Sequence, residues 1–167
     1  MVHYFDPQPP YHLREAFASP PSSGHQQRGQ DWHDPAVRER IRQYDSEIGY
    51  TDYYVGRLLD ALDRSNLSDS TLVVLTADHG EDLGEEGYVG HGRRLDEAIL
   101  KVPLIMRYPP RIPSNKVIRQ RVSLLDVTPT IIDLVHAGHS EQYSFAGRAW
   151  LKGLKVMGAS REGPCII

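Results

Sequence analysis

Thr71-Leu72-Val73-Val74-Leu75-Thr76-Ala77-Asp78-His79-Gly80 opens the stretch that decides the fold, and Val102-Pro103-Leu104-Ile105-Met106 completes it. The run from Thr71 to Thr76 is apolar and β-branched without alternation. That is the pattern of a strand covered on both faces, as in a parallel sheet flanked by helices. The second run predicts another buried strand, stopped by Tyr108-Pro109-Pro110. Upstream, Asp34 suits an N-cap and Pro35 the first helical position. Apolar residues spaced largely by threes and fours (Ile41, Ile48, Val55, Leu58, Leu59, Leu62) predict one long helix from Pro35 to about Arg64. Asn66 and Ser68 to Ser70 end it in turn chemistry. Downstream, a weaker strand is expected near Arg119 to Leu124. Thr128 then caps, and Pro129 opens, a last helix through Ile131, Ile132, Leu134 and Val135, closed by Gly138. Helices alternating with strands give an α/β fold.

The flanks are less regular. Val2-His3-Tyr4-Phe5 reads as the tail of a strand, stopped by Asp6-Pro7-Gln8-Pro9-Pro10-Tyr11 because proline cannot donate to a ladder. Residues 18 to 33 are rich in Ser, Pro, Gly and Gln and predict a surface loop. No internal repeat is apparent.

Composition narrows the function. The 167 residues carry 19 Lys+Arg against 22 Asp+Glu, a net charge of -3. An electrostatic nucleic-acid binder needs a basic excess, and none is present. Cys165 is the only cysteine, which excludes a disulfide scaffold. Apolar runs fall far short of the ~18 residues that span a bilayer, so no membrane span is expected. Met1-Val2-His3-Tyr4 has neither the basic nor the apolar region of a secretion signal. Compartment stays open.

The chemistry sits between the two buried strands. Asp78-His79-Gly80 ends the first and leads into Glu81-Asp82-Leu83-Gly84-Glu85-Glu86-Gly87. Gly90-His91-Gly92 then precedes the second. In α/β sheets ligands gather at the carboxyl ends of strands. A carboxylate and an imidazole there can reach a cation, and Gly80 lets the backbone turn just after them. One Asp and one His make an incomplete ligand set, and the mixed O/N donors fit Ca, Mg, Mn or Zn without choosing. As separate strings, Asp78 and His79 also suit turn residues bonding local backbone, and His91 suits simple loop chemistry. Glu81, Asp82, Glu85 and Glu86 read as a solvated loop face.

The whole constellation is more specific than its parts. Residues 76 to 92, followed by Asp96-Glu97 and Val102-Pro103-Leu104-Ile105, closely resemble the sulfatase family of the alkaline phosphatase superfamily. Tyr44-Asp45-Ser46-Glu47-Ile48 with Asp52, Gly56 and Leu58-Leu59 looks like the helix before that family's metal strand. Ser123 to Thr130 and Phe145-Ala146-Gly147-Arg148 resemble later segments, and His3 to Tyr11 looks like its strand-end substrate segment. The resemblance covers residues 2 to about 154. It implies an alkaline-phosphatase-like three-layer sandwich with a mostly parallel sheet, present in part, and divides the chain into 1–154 and an atypical tail, 155–167.

The resemblance also implies roles. Asp78 and His79 match the second pair of ligands to a divalent metal, calcium first among the compatible ions. His91 falls where the family places a Lys or His that contacts the bound ester and helps neutralise the leaving oxygen. Gln8 stands where the family has a substrate-contacting His, and His3 lies nearby as a further substrate-binding candidate. Gln8 can donate a hydrogen bond but cannot transfer a proton. The family's nucleophile lies in a (Cys/Ser)-x-Pro-x-Arg motif. Ser19-Pro20-Pro21-Ser22-Ser23 has Ser in place of the Arg and follows rather than precedes the His3–Tyr11 segment, and Cys165 is too close to the end.

These residues therefore read as the C-terminal part of a catalytic domain, which needs the remainder of that domain and acts on a small-molecule or glycan sulfate ester. A superfamily phosphodiesterase, phosphonate hydrolase or phosphoethanolamine transferase, and a non-catalytic binding or regulatory piece, are the alternatives.

Overall fold

The computed structural model describes residues 1–19, 34–84, 87–136, 144–150 and 165–166. Most of the expected loop over residues 18–33 lies outside these residues. So do Gly138, Glu85, Glu86 and the boundary at residue 154. The described chain forms two compact units, Met1–Ser68 with His79–Val102, and Asp69–Asp78 with Pro103–Ile167.

The first unit is organised by α1, Pro35–Arg64. Its start matches the sequence signal, since the Asp34 side chain accepts from the Ala36 amide at 2.8 Å and Pro35 follows the cap. Its apolar stripe is only partly used. Ile41 is fully buried, whereas Ile48 and Leu58 are exposed. The residues buried beside Ile41 are Ser46 and Glu47. Both anchor the N-terminal segment. The His12 amide donates to Glu47 Oε1 at 2.8 Å, and the Arg14 amide donates to Ser46 Oγ at 2.9 Å. Ser46 Oγ in turn donates to the Gln43 carbonyl at 2.7 Å.

Further contacts fix the same segment. Thr51 Oγ1 donates to the Asp6 carbonyl at 3.0 Å, and Arg14 pairs with Asp6 at 3.0 Å while lying over the Tyr50 ring. Phe17, in a short 3-10 turn over Glu15–Phe17, meets Tyr50 edge to face. Residues 2–5 form no strand; they are largely exposed and His3 stacks on Phe5 at 5.6 Å. What looks apolar and β-like there lacks a ladder partner among the described residues.

The second unit holds the sheet. β1, Val73–Thr76, pairs antiparallel with β4, Leu104–Arg107, from Val73↔Arg107 to Thr76↔Leu104. β4 also pairs antiparallel with β5, Cys165–Ile166. Both predicted strands thus form, and in this part of the sheet they pair antiparallel with each other. The chain from β1 to β4 passes through the loops of the first unit and a single short helix, not a long crossover helix, so β4 returns against β1. Antiparallel strands are common at the margins of mixed α/β sheets. β1 is half-buried, and β4 buries Leu104 and Met106 against Ile112 and Leu134.

Leu134 lies on α3, Val127–His136. This helix starts before Thr128. Ser123 and Asp126 form a capping box around a 3-10 turn, Leu124–Asp126, that runs into α3 and moves its start forward. The same turn occupies part of the stretch expected as a weak strand, and only Val117 makes an isolated bridge nearby. No helix among the described residues is long and apolar enough to cross a membrane.

Candidate active site

The segment after Asp78 is shaped by one close backbone approach. The Gly80 amide donates to the Ile99 carbonyl at 2.7 Å, tying the loop to α2, Glu97–Leu100, whose Ile99 is buried. A Cβ on Gly80 would sit 2.1 Å from the Ala98 carbonyl oxygen, so only glycine fits. Beyond it, β2, Asp82–Leu83, pairs antiparallel with β3, Val89–Gly90. The register is Asp82↔Gly90 and Leu83↔Val89. Continued by one residue, it sets Glu81 opposite His91. Gly90 and Gly92, with φ of +108° and +88°, supply the left-handed bends on either side of His91.

This geometry builds a connected cluster. His91 Nδ1 lies 3.1 Å from both Glu81 oxygens, and the Glu81 side chain is 4% exposed. The Tyr11 hydroxyl donates to Glu81 Oε2 at 2.6 Å, the short distance of a charge-assisted bond. Burial, and then the hydrogen bond to Glu81, push the Tyr11 phenol far above its ordinary value, so it stays a donor. Tyr11 is held in turn edge to face against Tyr44 of α1 at 5.5 Å. On the opposite side of the imidazole, His91 Nε2 faces the Gln8 amide nitrogen at 3.4 Å. The His79 ring stacks on His91 with centroids 4.1 Å apart.

Of the candidates named from sequence, Gln8, His79 and His91 are brought together. His3 is not; it stacks on Phe5 and takes no part in this network. Asp78 is an exposed residue two positions beyond β1 and belongs to the sheet unit. Glu81 and Asp82 correct the reading of a solvated acidic face. Asp82 is fully buried, and its Oδ1 accepts from the Gly84 amide at 2.8 Å, the local bond of an Asx turn. Glu85 and Glu86 lie outside the described residues. Sequence reasoning missed Glu81 and Tyr11 as members of the cluster. The available signal was the glycine-flanked His91 returning on a short hairpin toward the residue after Gly80.

Whether a divalent cation suits these residues is tested by the donors themselves. His79 Nδ1 lies 2.8 Å from the Gly80 carbonyl, which can only accept, so Nδ1 is a donor and in the neutral ring Nε2 is the nitrogen left to bind a cation. That is the tautomer and backbone support typical of a metal-ligating histidine. Asp78, which belongs to the sheet unit, carries a carboxylate, a donor type suited to hard cations. Among the described residues no group of three or more His, Cys, Asp or Glu side chains could hold a metal. His79 alone therefore presents a nitrogen donor of the kind a divalent cation takes. Beside it, a pocket of about 340 Å³ is lined by His79, His91, Ile99 and the segment from Gly92 to Leu95. Arg94 pairs with Asp96 at 2.9 Å.

Comparison with known proteins assigns this arrangement to a family. The Sulfatase family model matches residues 2–137. A choline-sulfatase of Rhizobium meliloti (strain 1021) is 33% identical over 135 residues, covering 78% of this chain and 25% of that protein. Human iduronate 2-sulfatase is 44% identical over 78 residues, 46% of this chain and 14% of its own length. A solved protein in complex with its substrate, D-glucosamine-2-N,6-O-disulfate, superposes with a TM-score of 0.54 at 32% identity, over 58% of this chain and 19% of that one. The chain thus spans a quarter or less of these relatives, and its architecture is part of their alkaline-phosphatase-like α/β fold. A match running from the N-terminal segment that carries Gln8 and Tyr11 to the end of α3 leaves one conclusion: the chain belongs to the sulfatase family.

Proposed function

We propose that this chain supplies the leaving-group side, and one pair of metal ligands, of a sulfuric ester hydrolase site. The observation that carries the reading is His91, gripped by Glu81 on one edge and facing Gln8 on the other, inside a segment that matches the family. In this reading the doubly protonated His91 ring turns its Nε2–H to the oxygen that leaves when the sulfur–oxygen bond breaks, and that proton neutralises the developing charge by hydrogen bonding or by transfer. Gln8 donates to the ester oxygens without transferring a proton. Arg93, in the lining of the adjacent pocket, favours an anionic substrate such as a sulfate ester.

Asp78 and His79 are the candidates to hold the divalent cation, with calcium foremost and Mg, Mn or Zn compatible. When bound, such an ion polarises the ester and holds the nucleophile in line. No (Cys/Ser)-x-Pro-x-Arg motif occurs in residues 1–167. The nucleophile in this proposal therefore comes from polypeptide outside them.

The test is to read the coding DNA that adjoins this sequence, express the open frame, and assay it with p-nitrophenyl sulfate and p-nitrophenyl phosphate. Support is a frame that carries the motif and turns over the sulfate ester, with turnover lost in Asp78→Ala and His91→Ala. Turnover by residues 1–167 alone would overturn the assignment of the nucleophile. Preference for the phosphate ester would overturn the substrate class.

A further inference from the structure

The Glu81 carboxylate has no direct role in the proposed chemistry, yet it is almost completely buried and bonded to two side chains of the cluster. Each of its oxygens is engaged. Oε2 accepts from the Tyr11 hydroxyl at 2.6 Å, and both oxygens lie 3.1 Å from His91 Nδ1. An ionised carboxylate can only accept, so the Nδ1 it faces must be the donor. The Gln8 amide nitrogen, 3.4 Å from Nε2, can only donate. In the neutral imidazole these two neighbours agree on one tautomer, with the proton on Nδ1 and the lone pair on Nε2, so that Nε2 is the nitrogen that takes up a second proton and can offer it to a leaving oxygen. The face of the ring is fixed as well, because His79 stacks on it.

Three supports bear on the same side chain. The antiparallel register sets Glu81 opposite His91, the Tyr11 hydroxyl aims the carboxylate, and Ser46 and Glu47 of α1 pin the backbone of Tyr11's neighbours. An acceptor behind a histidine nitrogen is what decides which nitrogen is left to meet a ligand.

We propose that Glu81, aimed by the Tyr11 hydroxyl, is the positioning residue of His91: it holds the proton on Nδ1 and presents Nε2 on the Gln8 side. This rests on the proposed function only in taking His91 as the group that meets the leaving oxygen. The tautomer itself is a property of the 167-residue chain and is read without any substrate.

The experiment is a long-range 1H–15N correlation spectrum of the histidine side chains in the 167-residue chain, at a pH where the ring is neutral. His91 is assigned by the signals lost in His91→Gln. The expected spectrum has a protonated, pyrrole-type Nδ1 and an unprotonated, pyridine-type Nε2. In Glu81→Gln the new amide can donate to Nδ1, so the pattern shifts toward the proton on Nε2. A wild-type His91 with its proton on Nε2, or a spectrum unmoved by Glu81→Gln, overturns the proposal. If Glu81→Gln fails to fold, the wild-type spectrum alone decides. A chain with the expected tautomer whose open frame turns over no sulfate ester would refute the proposed function while leaving this assignment standing.

Discussion

Replacing Gly80 by alanine tests whether the loop behind the cluster depends on one close approach. The added Cβ would stand 2.1 Å from the Ala98 carbonyl oxygen and 3.1 Å from its carbon, where real Cβ atoms essentially never come under 3.0 Å. These neighbours are backbone atoms of the segment around α2, so relief requires moving a main chain and not turning a side chain. The movement must also stretch the Gly80–Ile99 bond, now 2.7 Å. Overpacking of this kind costs roughly 1–3 kcal/mol, and the loss of one buried hydrogen bond adds about 1 kcal/mol. We expect Gly80→Ala to destabilise the chain by about 2–4 kcal/mol in urea denaturation.

The control is Gly56→Ala on α1, where nothing lies within 4 Å of the new Cβ. There alanine gains about 0.5–1 kcal/mol of helix propensity, and the sign reverses. If Gly80→Ala were neutral, or if both variants moved in the same direction, the packing of the Gly80 turn against the Ala98–Ile99 backbone would be wrong.

Other consequences follow from the anchors. Ser46→Ala removes the acceptor of the Arg14 amide inside a fully buried site, and should cost about 1–3 kcal/mol by denaturant titration, with faster proteolytic cleavage near residue 14. A loss below about 0.5 kcal/mol would mean that the segment is held by its other contacts. Asp126 is held below its ordinary value of 3.8, chiefly by the Arg148 amide and then by that of Ser123. A depressed carboxylate contributes stability that is complete above its ordinary value and disappears as pH falls through the lowered one. The advantage of the wild type over Asp126→Asn in urea midpoint should therefore be present at neutral pH and shrink below 3.8, and a difference that grows on acidification would contradict the assignment.

What the sequence made legible was local. Asp34-Pro35 marked the start of α1 because a cap and a fixed φ act within a few residues, and the strands at 73–76 and 104–107 were visible as uninterrupted apolar runs. Asp78, His79 and His91 stood out through a family pattern, not through periodicity. What failed depended on distant partners. Ile48 and Leu58 looked like core and are exposed, while Ser46 and Glu47 are buried, because the face they share is covered by an irregular segment with amides to satisfy. Glu81 was indistinguishable from its acidic neighbours until the β2–β3 register set it opposite His91 and Tyr11, 70 residues away, supplied its second partner. The start of α3 was misread because Thr128-Pro129 is a good signal outcompeted by a complete capping box at Ser123 and Asp126.

The role proposed for His91 is to serve the leaving oxygen of a sulfate ester. Its most direct test is the turnover of a series of sulfate esters by the open frame that contains this chain, in wild type and His91→Ala. A good leaving group such as p-nitrophenolate needs little help, whereas an alkoxide of a sugar needs much. The expected result is a loss in kcat that grows steadily as the leaving group becomes more basic. An equal loss for every ester, or no loss with the poorest leaving group, would contradict it.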